Sequence, residues 1–269
     1  MPAKSKLGQN FLHDQTAIER IAASLGDLSA RTAVEIGPGL GAITERLSAR
    51  AARVVAVEYD HQLVLRLRVH FGDRPQNNVE VVEQDVLRFD FAAAAAEAGQ
   101  KLAVVGNLPY YITSPILLRL AECHAALDTA VLMVQREVAD RVCAEPGSRD
   151  YGALSITTQM YGPTQKLFTL PPTAFEPPPE VHSTVFRWHF APRFEELGAE
   201  EEPFIRLVRL SFAQKRKTLA NNLRAAKIDS AAAASALAKA NIDPAARAEA
   251  LPIESFAALC RALREIEAL

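Results

Sequence analysis

The sequence predicts an α/β fold, a mostly parallel, doubly wound sheet over residues 1–191, followed by a smaller all-α domain over 192–269. Three observations predict it. Short apolar runs (Thr32 to Ile36, Val54 to Val57, Val79 to Val82, Leu102 to Val105) alternate with helical patterns, the signature of strands joined by crossover helices. Each of these four runs leads into a residue suited to a ligand crevice: Gly37-x-Gly39-x-Gly41, Glu58, Asp85 and Asn107. Ligands of open α/β sheets lie beyond the carboxyl ends of the strands. Beyond Pro203 the pattern is helical throughout.

In chain order, Lys4 and Lys6 precede Gly8-Gln9-Asn10-Phe11-Leu12-His13-Asp14, a segment too irregular to read as strand or helix. A helix follows with Asp14 as N-cap and Ala17, Ile18, Ile21, Ala22 and Leu25 at helical spacing. The Thr32 strand runs into the glycine turn and a helix over Ala42 to Arg50. The Val54 strand ends on Glu58, and a helix over about His61 to Phe71 leads to the Val79 strand and Gln84-Asp85. The Ala-rich tracts, Ala92 to Ala98 and Ala231 to Ala236, are helix formers. Arg136 and Glu137 read as a solvated helix start, and Ser183 to Trp188 as a late strand.

Composition bounds the function. The 269 residues are 49% hydrophobic and 23% charged, ordinary globular material, with a net charge of −2. Any nucleic-acid affinity must therefore come from a local basic patch. Cys123, Cys143 and Cys260 have no paired spacing, and the six histidines no metal-ligand spacing, so no disulfide framework and no metal are expected. Without an apolar leader or an 18-residue apolar window, a reduced, cytoplasmic protein away from the membrane is expected.

The chemistry is carried by Gly106-Asn107-Leu108-Pro109-Tyr110. Pro109 biases Leu108 toward an extended conformation, so the turn fixes an amide side chain and a backbone carbonyl beside an aromatic face. Two acceptors and a flat ring suit a planar group carrying an NH₂, such as adenine. Gly37 and Gly39 allow close backbone approach to a ligand, Glu58 can accept from both ribose hydroxyls, and Asp85 can accept from an adenine amine. The Gly-x-Gly-x-Gly spacing lacks a Walker lysine and departs from the dinucleotide pattern. It suits a nucleoside with an amino-acid tail, S-adenosylmethionine.

Taken with Gly8-Gln9-Asn10-Phe11-Leu12, Val34-Glu35-Ile36-Gly37-Pro38-Gly39, Asn107-Leu108-Pro109-Tyr110, Gln135-Arg136-Glu137-Val138, Pro177-Pro178-Pro179-x-Val181-x-Ser183 and Phe212-Ala213-Gln214-Lys215-Arg216-Lys217-Thr218-Leu219, nearly the whole chain resembles the small-subunit ribosomal RNA adenine dimethyltransferases. The resemblance implies a Rossmann-like class I methyltransferase domain, S-adenosylmethionine as cofactor, and small-subunit ribosomal RNA or a pre-30S particle as partner of a monomeric enzyme. It places Asn10, Leu12, Gly37, Glu58, Asp85 and Asn107 at the cofactor. The sequence departs from the family pattern at Leu7 and Tyr111, and in the thin basic run of Lys4 and Lys6.

On this reading Asn107 and the Leu108 carbonyl activate the amine, Tyr110 stacks on the extruded base, and Phe175, in its proline-stiffened loop, supplies a second stacking face. Two rivals are a large-subunit methyltransferase of the resistance type and a catalytically silent RNA-binding assembly factor. Asn-Leu-Pro-Tyr, the triple proline and the long C-terminal domain speak against the first; intact Asn107, Tyr110 and Glu58 speak against the second. In the C-terminal domain Arg206, Arg209, Lys215, Arg216, Lys217, Arg224 and Lys227 form a basic series without an acid. On one continuous helix all but Lys215 would fall within roughly 100° of arc, an RNA-backbone footprint.

Overall fold

A computed structural model describes residues 10–72, 78–214 and 216–269. Lys4, Lys6, Leu7, Gly8, Gln9 and Lys215 lie outside the described residues. The chain divides into two compact units, Met1–Ala139 with Thr164–Phe190, and Asp140–Pro163 with Ala191–Leu269.

The first unit opens with a two-residue strand β1 (Phe11–Leu12) and α1 (Gln15–Ala23), whose first turn is capped by Asp14 Oδ1 accepting from the Ala17 N–H at 3.0 Å. There follow β2 (Thr32–Ile36), α2 (Ala42–Ser48), β3 (Arg53–Glu58), α3 (His61–Gly72), β4 (Val79–Glu83), α4 (Phe91–Ala98), β5 (Leu102–Asn107), α5 (Thr113–Glu122) and β6 (Leu127–Gln135). α6 (Arg136–Val142) and α7 (Ala153–Met160) precede β7 (Thr164–Leu170), β8 (Phe175–Glu176) and β9 (Ser183–His189). The seven-stranded sheet runs in the order β4-β3-β2-β5-β6-β9-β7. The pairs among β2 to β6 are parallel, and β9 is antiparallel to both its neighbours.

Strands covered on both faces read as continuous apolar runs. β2 and β5 are such strands: Ala33, Val34, Val104 and Val105 are fully buried. On one face Ile18 and Ile21 of α1 pack with Ala33, Val54 and Val105. At the centre a Cβ on Gly106 would lie 2.9 Å from the Ile36 carbonyl oxygen, so only glycine allows β2 and β5 to approach at the end that leads into Asn107. The segment before Asp14, which reads as irregular in the sequence, contains β1, antiparallel to β8 with Leu12 opposite Phe175. Its partner lies more than 160 residues away, beyond the reach of a local pattern.

The second unit holds α7 with α8 (Glu201–Ser211), α9 (Leu219–Ala225), α10 (Ser230–Lys239) and α11 (Ile253–Glu265). Its core unites Ile156 and Met160 with Phe204, Leu207, Leu223, Phe256 and Leu263. A single cut near residue 191 is therefore corrected: residues 140–163 fold with the helical unit because their apolar side chains complete its core. The basic series is not one helix. α8 ends at Ser211, Arg216 takes a φ of +67°, and a new helix starts at Leu219 with Thr218 as N-cap. Arg206, Arg209, Arg216, Lys217, Arg224 and Lys227 are all exposed, carried by two helices and the turns that follow them. Among the described residues no helix is long and apolar enough to cross a membrane.

Candidate active site

Parallel register brings the ends of β2, β3, β4 and β5 to one edge of the sheet. Ile36 pairs with Val57 on one side and Gly106 on the other, and Glu58 pairs with Glu83. Two hydrogen bonds carry the ladder one step past the strands, Gly37 N–H to the Val57 carbonyl and Gln84 N–H to the Glu58 carbonyl, each 2.9 Å. The residues after these strands are thus held by the sheet.

Glu58 is 5% exposed and organises the glycine turn. One carboxylate oxygen accepts from the Gly39 N–H at 3.1 Å, and the other from the Tyr59 and Asp60 N–H groups at 2.9 Å each. Three backbone donors on one carboxylate pin the glycine turn to the end of β3. The turn itself uses positive φ at Gly37, Gly39 and Gly41 (+64°, +58° and +85°), which explains the spacing seen in the sequence. Next to Glu58 stands Glu35, 1% exposed, whose Oε2 accepts from the Thr44 hydroxyl at 2.5 Å. Burial, reinforced by the nearby Glu58 charge and partly offset by the Thr44 bond, raises its pKa to about 7.

Two cavities open at this edge. The smaller, about 100 Å³, is lined by Asn10, Phe11, Leu12, Glu35, Gly37, Gly39, Glu58, Asn107, Leu108, Pro109 and Tyr110. The larger, about 280 Å³, is lined by Ile36, Gly37, Val57, Glu58, Tyr59, Asp85, Val86, Leu87, Pro109, Tyr111, Ile112 and Ile116. Gly37, Glu58 and Pro109 border both, so the two form neighbouring chambers of one crevice. Asp85 caps its own turn, its Oδ1 accepting from the Leu87 N–H at 3.0 Å.

The turn after β5 is fixed at each step. The Asn107 amide Nδ2 donates to the Asn10 carbonyl at 3.0 Å, which sets the amide's orientation. The Leu108 N–H donates to the Met133 carbonyl at 3.0 Å, and the Pro109 carbonyl accepts from the Thr113 hydroxyl at 3.0 Å. Among the described residues, neither the Asn107 Oδ1 nor the Leu108 carbonyl has a hydrogen-bond partner. The Tyr110 hydroxyl lies 2.7 Å from the Ser183 hydroxyl.

A family model described as ribosomal RNA adenine dimethylase matches residues 2–265. The chain belongs to that family. The dimethylase relatives include proteins named ribosomal RNA small subunit methyltransferase A. That of Acidobacterium capsulatum is 56% identical over 97% of this chain and 92% of its own length. The Koribacter versatilis protein is 48% identical over 97% and 95%. Among solved structures, a dimethyladenosine transferase from Plasmodium falciparum superimposes with a TM-score of 0.83 at 22% identity, covering 96% of this chain and 98% of its own. The 23S rRNA methyltransferase ErmE gives 0.70 at 27%, over 95% and 100%.

The dimethylase crevice gathers Asn10, Leu12, Gly37, Gly39, Glu58, Asp85, Asn107, Leu108, Pro109 and Tyr110. Phe175 is the exception. It is 2% exposed, paired with Leu12 and packed in the core with Ala174, Leu170 and Val185, and it lines neither cavity. As placed it presents no stacking face. Its expected role is corrected to a core residue that supports the strand carrying Leu12. Unforeseen wall residues are Glu35, Tyr59, Leu87 and Tyr111. Glu35 had a visible signal, an acid inside an otherwise apolar strand.

Proposed function

We propose that this enzyme transfers two methyl groups to the exocyclic amine of adenine in small-subunit ribosomal RNA, with S-adenosylmethionine as donor. The observation that carries the reading is the pair of unpartnered acceptors, Asn107 Oδ1 and the Leu108 carbonyl, beside Tyr110 at one wall of the crevice. The crevice fits the donor: a buried carboxylate at Glu58 for ribose hydroxyls, open space before Gly37, and Val57, Val86 and Ile116 as an apolar chamber for a base. Asp85 borders the same chamber and would accept from the cofactor's adenine amine. When bound, the cofactor supplies an electrophilic methyl group on a sulfonium.

The chain's residues do the rest by positioning. The amine of adenine is a poor nucleophile because its lone pair is delocalised into the ring. Accepting both amine hydrogens at Asn107 Oδ1 and the Leu108 carbonyl favours a pyramidal nitrogen with its lone pair free. As the N–C bond forms, positive charge develops on that nitrogen, and both acceptors bind it more strongly than the neutral amine. Neither takes the proton, which leaves to solvent. Tyr110 offers the face on which the extruded base rests. After the first transfer the amine rotates and the remaining hydrogen occupies one acceptor.

The exposed residues Arg206, Arg209, Arg216, Lys217 and Arg224, with Lys215, would hold the RNA backbone. The test offers the purified protein unmodified small-subunit and large-subunit RNA in parallel with labelled methyl donor. Dimethyladenosine in small-subunit RNA alone is expected. Label only in large-subunit RNA would select the resistance-type reading, and none in either would select the silent factor.

A further inference from the structure

We propose that Ser183 is a positioning residue that holds the Tyr110 ring in its place at the wall of the crevice. The inference rests on the reading that Tyr110 stacks on the target adenine. Tyr110 sits in a three-residue turn after β5 that has no side-chain cap. A ring there can swing about its Cα–Cβ bond unless its far end is tied. The tie observed is the 2.7 Å bond between the Tyr110 and Ser183 hydroxyls, across 73 residues of sequence. This is the usual distance for a well-formed O–H···O bond.

Ser183 is suited to anchor it. Its side chain is fully buried, and its backbone is paired on both flanks, with Gln135 of β6 and Leu170 of β7. The preceding residue is held too, the His182 carbonyl accepting from the Arg136 N–H at 3.0 Å. The anchor is therefore the sheet itself. Partial burial raises the Tyr110 pKa, so the phenol keeps its proton at neutral pH and remains able to donate.

The experiment compares Ser183→Ala, Tyr110→Phe, their double mutant and Tyr110→Ala in methyl transfer to unmodified small-subunit RNA. Ser183→Ala and Tyr110→Phe remove opposite ends of one bond and keep the ring. Each should lower kcat by about tenfold, the cost of a modest misplacement, with cofactor affinity and the KM for RNA little changed. The double mutant should be no slower than either single, because the bond can be lost only once. Wild-type kcat in Tyr110→Phe or Ser183→Ala, or losses that multiply in the double mutant, overturns the proposal. If Ser183→Ala does not fold, Tyr110→Phe alone decides. Tyr110→Ala separates the two readings. Full activity there removes Tyr110 from base stacking, and with it the role of Ser183. Loss there with wild-type rates in the other two leaves stacking intact and refutes only the tie.

Discussion

The Asn107 side chain donates its amide N–H to the Asn10 carbonyl at 3.0 Å, joining two residues 97 positions apart. The bond turns the amide nitrogen toward the protein and leaves its oxygen as the acceptor facing the crevice. An amide is suited to this because its two ends have opposite hydrogen-bonding character.

Asn107→Ala should therefore lose turnover far more than cofactor affinity. Loss of one preorganised partner to developing charge costs about 3 kcal/mol of transition-state stabilisation, roughly a hundredfold in kcat. Single-turnover methylation at saturating donor, with calorimetry of donor binding, checks it. A variant that methylates at the wild-type rate removes Asn107 from the chemistry.

Glu58 should show the reverse split. Glu58→Ala deletes a charged acceptor and releases three backbone donors of the glycine turn, so donor affinity should fall by about 1–3 kcal/mol. Calorimetry on the folded variant measures this, and unchanged affinity would exclude Glu58 as a ligand.

Glu35 gives the ligand-free protein a distinctive pH dependence. Its folded pKa of about 7 lies above the ordinary 4.5, so the folded state binds its proton more tightly than the unfolded chain does. The resulting stability is present in full below about pH 4.5 and is gone above about pH 7, a change of up to about 3 kcal/mol. Glu35→Gln has no such proton. Unfolding curves from pH 5 to 8 should show the variant gaining on the wild type as pH rises. A constant gap across that range would mean that Glu35 titrates normally.

The helical unit's charge should appear in salt dependence. Reversing Lys215, Arg216 and Lys217 to glutamate should weaken RNA binding steeply. It should also flatten the slope of log affinity against log salt, by close to one unit for each phosphate that is no longer neutralised. Donor affinity serves as the control and should not move. Equal slopes would place the RNA footprint elsewhere, with Lys4 and Lys6 next to be tested.

Much of the crevice was legible because its residues end consecutive strands, where local patterns are strongest. Gly37 and Glu58 follow apolar runs directly, Asn107 and Asp85 within three residues, and parallel register brings all four to one edge. What was hidden depends on pairing distant in sequence. β1 is two residues long and exists only through β8, and only the packing of Ile156 and Met160 assigns α7 to the helical unit. Phe175 looked like a loop aromatic beside prolines, yet strand pairing turns it inward. The basic series kept its exposure but not its single helix: α8 stops at Ser211, and the turn before α9 passes through a left-handed backbone at Arg216 that no spacing rule reveals.

The pairing of β1 with β8 has a consequence for synthesis. The wall of the crevice that contributes Asn10 and Leu12 comes from the start of the chain, while the strand that holds it ends at Glu176. A nascent chain emerging from the ribosome can form the glycine turn, Glu58 and even the Asn107 turn while this wall has no strand to rest against. Only when Phe175 and Glu176 have left the exit tunnel can Asn10 and Leu12 be locked into place. The crevice of an enzyme that acts on ribosomal RNA would thus stay incomplete until more than 160 further residues have followed β1.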